Sequence, residues 1–210
     1  MTQKLIVRLI PVEAFLLAAL LGYLYTTLRL IAPGPALQAQ SAPQPAGSLS
    51  PVFTPEVRRW EKEILAWSAV YGLDPNLAAT VMQIESCGNP QAISRSGAQG
   101  LFQVMPFHFA AGESTLDPDT NAARGLDYLA RGLALAGGQV GLALAGYNGG
   151  HSQIGRDSTL WPNETQRYYY WGTGIYDEAS AGASQSARLG EWLSAGGASL
   201  CASAAAQLGS

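Results

Sequence analysis

The chain has 210 residues, enough for one modest domain with extensions, and 48% of them are hydrophobic. Only 13% are charged, the net charge is −3 and no basic run occurs, which excludes a nucleic-acid footprint and fits an uncharged polymer better than a phosphate one. Cys87, Cys201, His108 and His151 stand at no metal-ligand spacing, so neither a dedicated metal site nor another cofactor is expected.

The most apolar stretch covers residues 5–31, with no charge from Ala14 to Leu28. Val12 to Ile31 is a run of 20 residues, the length a bilayer core demands, and Glu13 and Arg29 can snorkel at its edges. Lys4 and Arg8 precede it, which favours a cytoplasmic N-terminus and export of the remainder. Residues 1–32 therefore read as a transmembrane signal anchor. The rival is a cleaved signal peptide, with Ala36 and Ala39 near a cleavage point. Residues 33–54 place Pro33, Pro35, Pro43, Pro45 and Pro51 among Ala, Gln, Ser and Gly, a linker composition that builds no core.

Thr54-Pro55 opens a predicted helix in which Val57, Trp60, Ile64, Trp67 and Tyr71 form a stripe assigned to the core, ended by Gly72. Asp74-Pro75 starts the next helix as N-cap and first-turn proline, and Leu77, Val81 and Ile84 mark one face of it. Gly88 and Pro90 end that helix, leaving Glu85 in its last turn, where the helix dipole disfavours a charged carboxylate. Helix chemistry alone leaves two readings, a solvated glutamate or an acid kept protonated by an apolar site. Asp117-Pro118 begins an amphipathic helix through Ala122, Leu126, Leu129 and Leu133 to about Ala136. A small apolar helix follows from Gln139 to about Tyr147, and Trp161-Pro162 precedes a last core helix. No stretch alternates as a strand, so residues 55–180 should form a mostly α globular domain. Residues 181–210 read as an Ala/Gly/Ser-rich tail with one short helical segment, Ser186 to Leu193, and a loose end beyond 195. A Cys87–Cys201 disulfide and two free thiols are both open readings.

Four short motifs occur in order. They are Glu85-Ser86 with Gly88-Asn89-Pro90 and Ser94 to Ala98; Gly100-Leu101-Phe102-Gln103 with Met105-Pro106; Tyr147-Asn148-Gly149-Gly150; and Glu164-Thr165 followed by Tyr168. Through them, residues 56–175 resemble the catalytic core of the soluble lytic transglycosylase family, relatives of goose-type lysozyme. Phe102 replaces the family's methionine and Gly146 its alanine.

The resemblance implies a lysozyme-like fold acting on peptidoglycan strands, with cleavage of the β-1,4 bond between N-acetylmuramic acid and N-acetylglucosamine. Glu85 would be the single general acid and base, giving a 1,6-anhydro end without water. Ser86 and Gln103 would hydrogen-bond the sugar, and the Gly100, Leu101 and Phe102 backbone would line the groove. Tyr147 would poise Glu85, Asn148 would hold the local network, and Glu164 and Tyr168 would support the far wall. The acids after Glu85 are Glu113 and Asp117, so the motif region itself offers no paired carboxylate. Two alternatives remain: a lysozyme-type hydrolase using water, and a peptidoglycan-binding or assembly component of an envelope-spanning protein complex. In each the domain would lie on the extracytoplasmic side, anchored to the membrane by its N-terminal helix or secreted after signal cleavage; the sequence is silent on oligomeric state.

Overall fold

In the computed structural model, which describes residues 47–209, each cap-and-proline signal starts a helix. The Asp74 carboxylate accepts the Asn76 amide at 2.8 Å, and the Asp117 carboxylate accepts the Thr120 amide at 2.9 Å. In chain order the helices are α1 (Pro55–Arg58), α2 (Glu61–Tyr71), α3 (Pro75–Glu85), α4 (Pro118–Leu135), α5 (Val140–Gly149), α6 (Asn163–Ser180), α7 (Ala187–Trp192) and α8 (Ala198–Leu208). Two isolated antiparallel bridges, Ile93 with Gln99 and Gln99 with Val104, are the β pairing among the described residues. The domain is mostly helical.

Helix α3 is the centre. Every residue from Leu77 to Gln83 is buried, so the helix is enclosed on all sides rather than along the single stripe its apolar spacing marks. Helices α2 and α6 pack against it, and α6 contributes Tyr168, Gly172, Ile175 and Ala179 to the buried side. The single helix expected over Thr54–Tyr71 is broken at Arg59 and Trp60. The Trp60 indole N–H donates to the Gly88 carbonyl at 2.9 Å, which takes its side chain out of a regular helical course. Val57 and Ile64 on either side of the break are both fully buried, so the stripe continues across it.

Two expectations at the domain's ends are corrected. The linker composition does not hold to residue 54, because Leu49, Val52 and Phe53 belong to the core. Their backbone is tied down as well: the Leu49 amide donates to Glu61 at 3.1 Å and the Ser50 amide to the Asn76 side chain at 3.0 Å. The C-terminal tail is not loose. Leu189, Trp192, Cys201 and Ala204 join the core, and Cys201 is disulfide-bonded to Cys87. Low apolar mass made the tail look unstructured, yet alanine is the best helix former and lets α8 approach closely. The covalent bridge supplies the attachment that large side chains otherwise would. The proposed membrane segment and residues 33–46 of the linker lie outside the described residues. No helix among the described residues is long and apolar enough to cross a membrane.

The bridge joins residues 114 apart in sequence, a loop whose closure restricts the unfolded chain by about 2–5 kcal/mol. Cys201→Ser, or reduction of the native chain, is expected to lower unfolding stability by about that amount. Urea denaturation with and without reductant checks this; coincident midpoints would refute it.

Candidate active site

Glu85 is the last residue of α3, and its position is fixed from both sides of the chain. The Ser86 and Cys87 amides still donate to the Met82 and Gln83 carbonyls, at 3.1 and 3.2 Å. The chain then turns out of the helix through Cys87 at φ 51° and Gly88 at φ 82°. Left-handed backbone at a non-glycine residue is costly, and here the disulfide holds it. The buried Gln83 amide donates to Cys87 Sγ at 3.1 Å, and its oxygen accepts the Thr54 amide at 3.1 Å. A side chain on Gly88 would lie 2.7 Å from the Glu56 carbonyl oxygen, so glycine is required there by space as well as conformation.

The loop from Cys87 to Met105 folds back over the end of α3 on buried polar contacts. Ser86 Oγ donates to the Leu101 carbonyl at 2.7 Å and accepts the Gly88 amide at 3.1 Å. Asn121, fully buried in the first turn of α4, accepts the Phe102 amide at 2.8 Å. Its amide group donates to the carbonyls of Gln99 at 2.7 Å and Thr115 at 3.0 Å. Gly100, at φ 75°, leaves the room this side chain needs. Gln103, at φ 46°, donates to the carbonyls of Ala92 and Gly100 at 3.1 and 2.9 Å. The Tyr147 hydroxyl donates to the Phe102 carbonyl at 2.7 Å.

Above this floor runs a cleft with two arms. One, of about 410 Å³, is lined by Glu85, Ser94, Ser96, Ala98, Pro162, Glu164 and Thr165. The other, of about 290 Å³, is lined by Val104, Phe107, His108, Arg124 and Tyr128. Gln103, Met105, Tyr147, Asn148 and Gly149 line both arms, which makes them one groove. The Asn148 side-chain oxygen Oδ1 accepts the Thr165 hydroxyl at 2.9 Å, joining α5 to the start of α6 across the groove wall.

Glu85 keeps part of its surface open to the groove, but its carboxyl is enclosed by protein, and burial raises its pKa from 4.5 to about 8. Tyr168 draws it partway back, and the charge of Glu164 pushes it further up. The buried Tyr168 hydroxyl has no hydrogen bond of full geometry, so its influence on Glu85 is that of a close approach rather than a formed bond. Burial, and then the charge of Glu85, raise both Tyr147 and Tyr168 well above the ordinary tyrosine value. The result at neutral pH is a protonated carboxyl facing a groove, the state a general acid requires.

The structure brings Glu85, Gln103, Tyr147, Asn148 and Glu164 together on the groove. It places the other expected residues elsewhere. Ser86, Leu101 and Phe102 are fully buried, Gly100 is buried with them, and none of the four lines either arm of the groove. The Ser86 hydroxyl and the Phe102 backbone are occupied by the contacts above, so neither sugar bonding by Ser86 nor lining by residues 100–102 is observed. Tyr168 is buried close to Glu85 and lines neither arm. Tyr147 feels the charge of Glu85 while its hydroxyl serves the floor.

Sequence reasoning missed Asn121, whose only signal is a polar residue just before the apolar stripe that starts at Ala122. It also missed the aromatic end of the second arm. There Phe107 is 75% exposed, His108 is tilted against Tyr128 with ring centroids 5.0 Å apart, and Tyr128 in turn stacks on His151 at 3.9 Å. Burial first, and the charge of Arg131, lower the pKa of both histidines. Among the described residues one grouping has metal-ligand types in mutual reach, Glu56, Cys87 and Cys201 within 4.8 Å, but both sulfurs are committed to the disulfide.

A family model described as Transglycosylase SLT domain matches residues 62–169. A transglycosylase of Enterobacteria phage PRD1 is 39% identical over 115 residues, which is 52% of this chain and 40% of the phage protein. The endo-type membrane-bound lytic murein transglycosylase A of Klebsiella pneumoniae is 39% identical over 64 residues, 27% of this chain and 30% of that protein. The chain thus spans less than half the length of these curated relatives. An inactive mutant of the lytic transglycosylase Slt of Pseudomonas aeruginosa aligns in structure at 20% identity and a TM-score of 0.44, over 67% of this chain and 24% of that one.

Because the Glu85 pKa rises from 4.5 in the unfolded chain to about 8 in the fold, the folded state holds the extra proton between those values. Stability from this group is complete below pH 4.5 and is lost as pH rises through about 8. Glu85→Gln removes that dependence. Between pH 5 and 9 the variant should gain stability relative to the parent by a few kcal/mol, at about 1.4 kcal/mol per pKa unit. Chemical denaturation across that range checks the sign; parallel profiles would exclude a raised pKa.

Proposed function

Because the chain belongs to the transglycosylase SLT domain family, we propose that it is a lytic transglycosylase that cleaves peptidoglycan, with Glu85 as the general acid and base. The observation that carries this reading is the carboxyl of Glu85, held protonated near neutral pH on a groove. Glu85 gives its proton to the oxygen between N-acetylmuramic acid and N-acetylglucosamine as the bond from the muramyl C1 to that oxygen breaks. The 2-acetamido group of the sugar supports the developing positive charge, so no nucleophile from the protein is needed. The carboxylate left behind is a stronger base than an ordinary one, because the same burial that raised its pKa now favours its reprotonation. It takes the proton of the muramyl C6 hydroxyl as that oxygen bonds to C1. The products are a 1,6-anhydro end and a free N-acetylglucosamine hydroxyl, with Glu85 again protonated and no water consumed.

One observation favours a second reading. Glu164 lines the same arm as Glu85, so the groove holds two carboxylates where the motif region alone offered one. A second carboxylate can activate water, which would make the enzyme a hydrolase of the same bond. For placement in the cell, the apolar run from Val12 to Ile31 and the membrane-bound relative together support an anchored domain acting outside the cytoplasm.

Mass spectrometry of digested peptidoglycan separates the readings. Anhydromuramyl ends are expected, and reducing ends alone would establish hydrolysis. Glu85→Gln should lower the rate by about 10²- to 10⁴-fold, the usual contribution of a general acid or base. The rate should also fall as pH rises through about 8, where Glu85 loses its proton. Glu164→Gln removes a negative neighbour, so it should move that alkaline limb to lower pH; a limb that stays in place would show that Glu164 does not act on Glu85.

A further inference from the structure

A cavity of about 680 Å³, larger than either arm of the groove, lies on the outward side of the first turns of α6. Its walls include Trp161, Asn163, Gln166, Arg167, Tyr169 and Tyr170. Pro162, Glu164 and Thr165, interleaved with these in sequence, line the Glu85 arm instead. The two sites therefore stand back to back across one helical turn.

The aromatic wall is built before any ligand arrives. The Trp161 indole N–H donates to the Gln153 carbonyl at 3.0 Å, and the Gln166 amide donates to the Trp161 carbonyl at 2.9 Å. Trp161 packs on Tyr169 with ring centroids 5.4 Å apart. Tyr170 is held by its hydroxyl, which donates to Glu191 at 3.0 Å, and by the Arg188 guanidinium 3.6 Å from its ring centroid. Tyr169 and Tyr170 nevertheless remain 38% and 50% exposed, so fixed rings face solvent beside the exposed Asn163 and Gln166 side chains. No carboxylate lines the cavity, and Arg167 supplies a positive charge at its edge.

Aromatic faces flanked by a few amide and hydroxyl groups match the two sides of a sugar, whose C–H face is apolar and whose rim is polar. A guanidinium beside them matches a carboxylate, a group that a peptide-bearing glycan carries and a plain polysaccharide does not. We propose that this cavity is an accessory peptidoglycan-binding site, seating N-acetylated sugars on the exposed Tyr169 and Tyr170, which the buried Trp161 backs, and an acidic group of the same strand at Arg167. The identity of the ligand rests on the reading of the groove as peptidoglycan-cleaving. The site's position one turn from the groove lets it grip a strand, or its neighbour in the wall, while Glu85 acts.

The test is equilibrium binding of the 210-residue chain carrying Glu85→Gln to purified peptidoglycan sacculi, with Tyr170→Ala or Arg167→Glu added. Each addition should weaken binding about tenfold. Arg167 is exposed, so its variant keeps the test decisive if thermal melting shows that Tyr170→Ala does not fold. In the active background, the same substitutions should reduce cleavage of sacculi about tenfold more than cleavage of short disaccharide-peptide fragments. Parental binding by both variants, equal losses on long and short substrates, or capture of a protein at this surface with no effect on glycan binding would overturn the proposal. Sacculi bound through this cavity but left uncleaved by the unsubstituted chain would sink the reading of the groove and leave the accessory site standing. Sacculi cleaved normally while both variants bind like the parent would do the reverse.

Discussion

One carboxyl, that of Glu85, is enclosed at the C-terminal end of a helix with its pKa raised to about 8, and much of the surrounding structure bears on that enclosure. The helix dipole already disfavours an anion there, and enclosure by α5, α6 and the loop after α3 adds a larger desolvation cost to ionisation. Neither effect operates if the helix end frays, because water would reach Glu85 and restore an ordinary glutamate. The positive φ at Cys87 and Gly88, the Cys87–Cys201 bridge and the buried Gln83 amide each prevent that fraying. The C-terminal helix α8, far away in sequence, is thereby part of what keeps the acid buried.

Local signals were enough to read the helices that frame the groove. Asp74-Pro75 and Asp117-Pro118 carry both N-cap and proline, and the structure begins α3 and α4 at those prolines. The ends of the domain were not legible, for a physical reason. Leu49, Val52 and Phe53 lie within a proline-rich composition, and α8 is made of alanine and serine with few large apolar residues. Their burial is decided by partners elsewhere, Glu61, Asn76 and Cys87. Composition averages over a window and cannot register a single long-range bond.

The site shows the same division. Glu85 stands out in the sequence because its motif is local, and in the structure burial raises its pKa to about 8. The pairing with Glu164 could not be found in this way, since 79 residues of chain separate the two and only the packing of α6 on α3 and α5 brings them to one groove. The aromatic end of the groove was hidden for a related reason. Phe107, His108, Tyr128 and His151 come from three segments, and each alone has the composition of an ordinary surface or core position.

Motif residues also differ in what they do, and the structure sorts them by where their polar atoms go. Ser86, Gly100 and Phe102 serve the floor, whose hydrogen bonds to Asn121 and Tyr147 are satisfied without a ligand. Buried polar groups paired in this way fix one loop conformation, since any other would leave several of them unsatisfied. This settles what the departure at Phe102 changes. Its ring is fully buried and meets Trp67 edge-on, with centroids 6.2 Å apart and planes at 74°. Exchanging a flexible thioether for this ring alters packing between the floor and α2, while the backbone groups that hold the loop are the same for any residue. The side chains that open on the groove beside Glu85 are others, among them Gln103, Asn148 and Glu164.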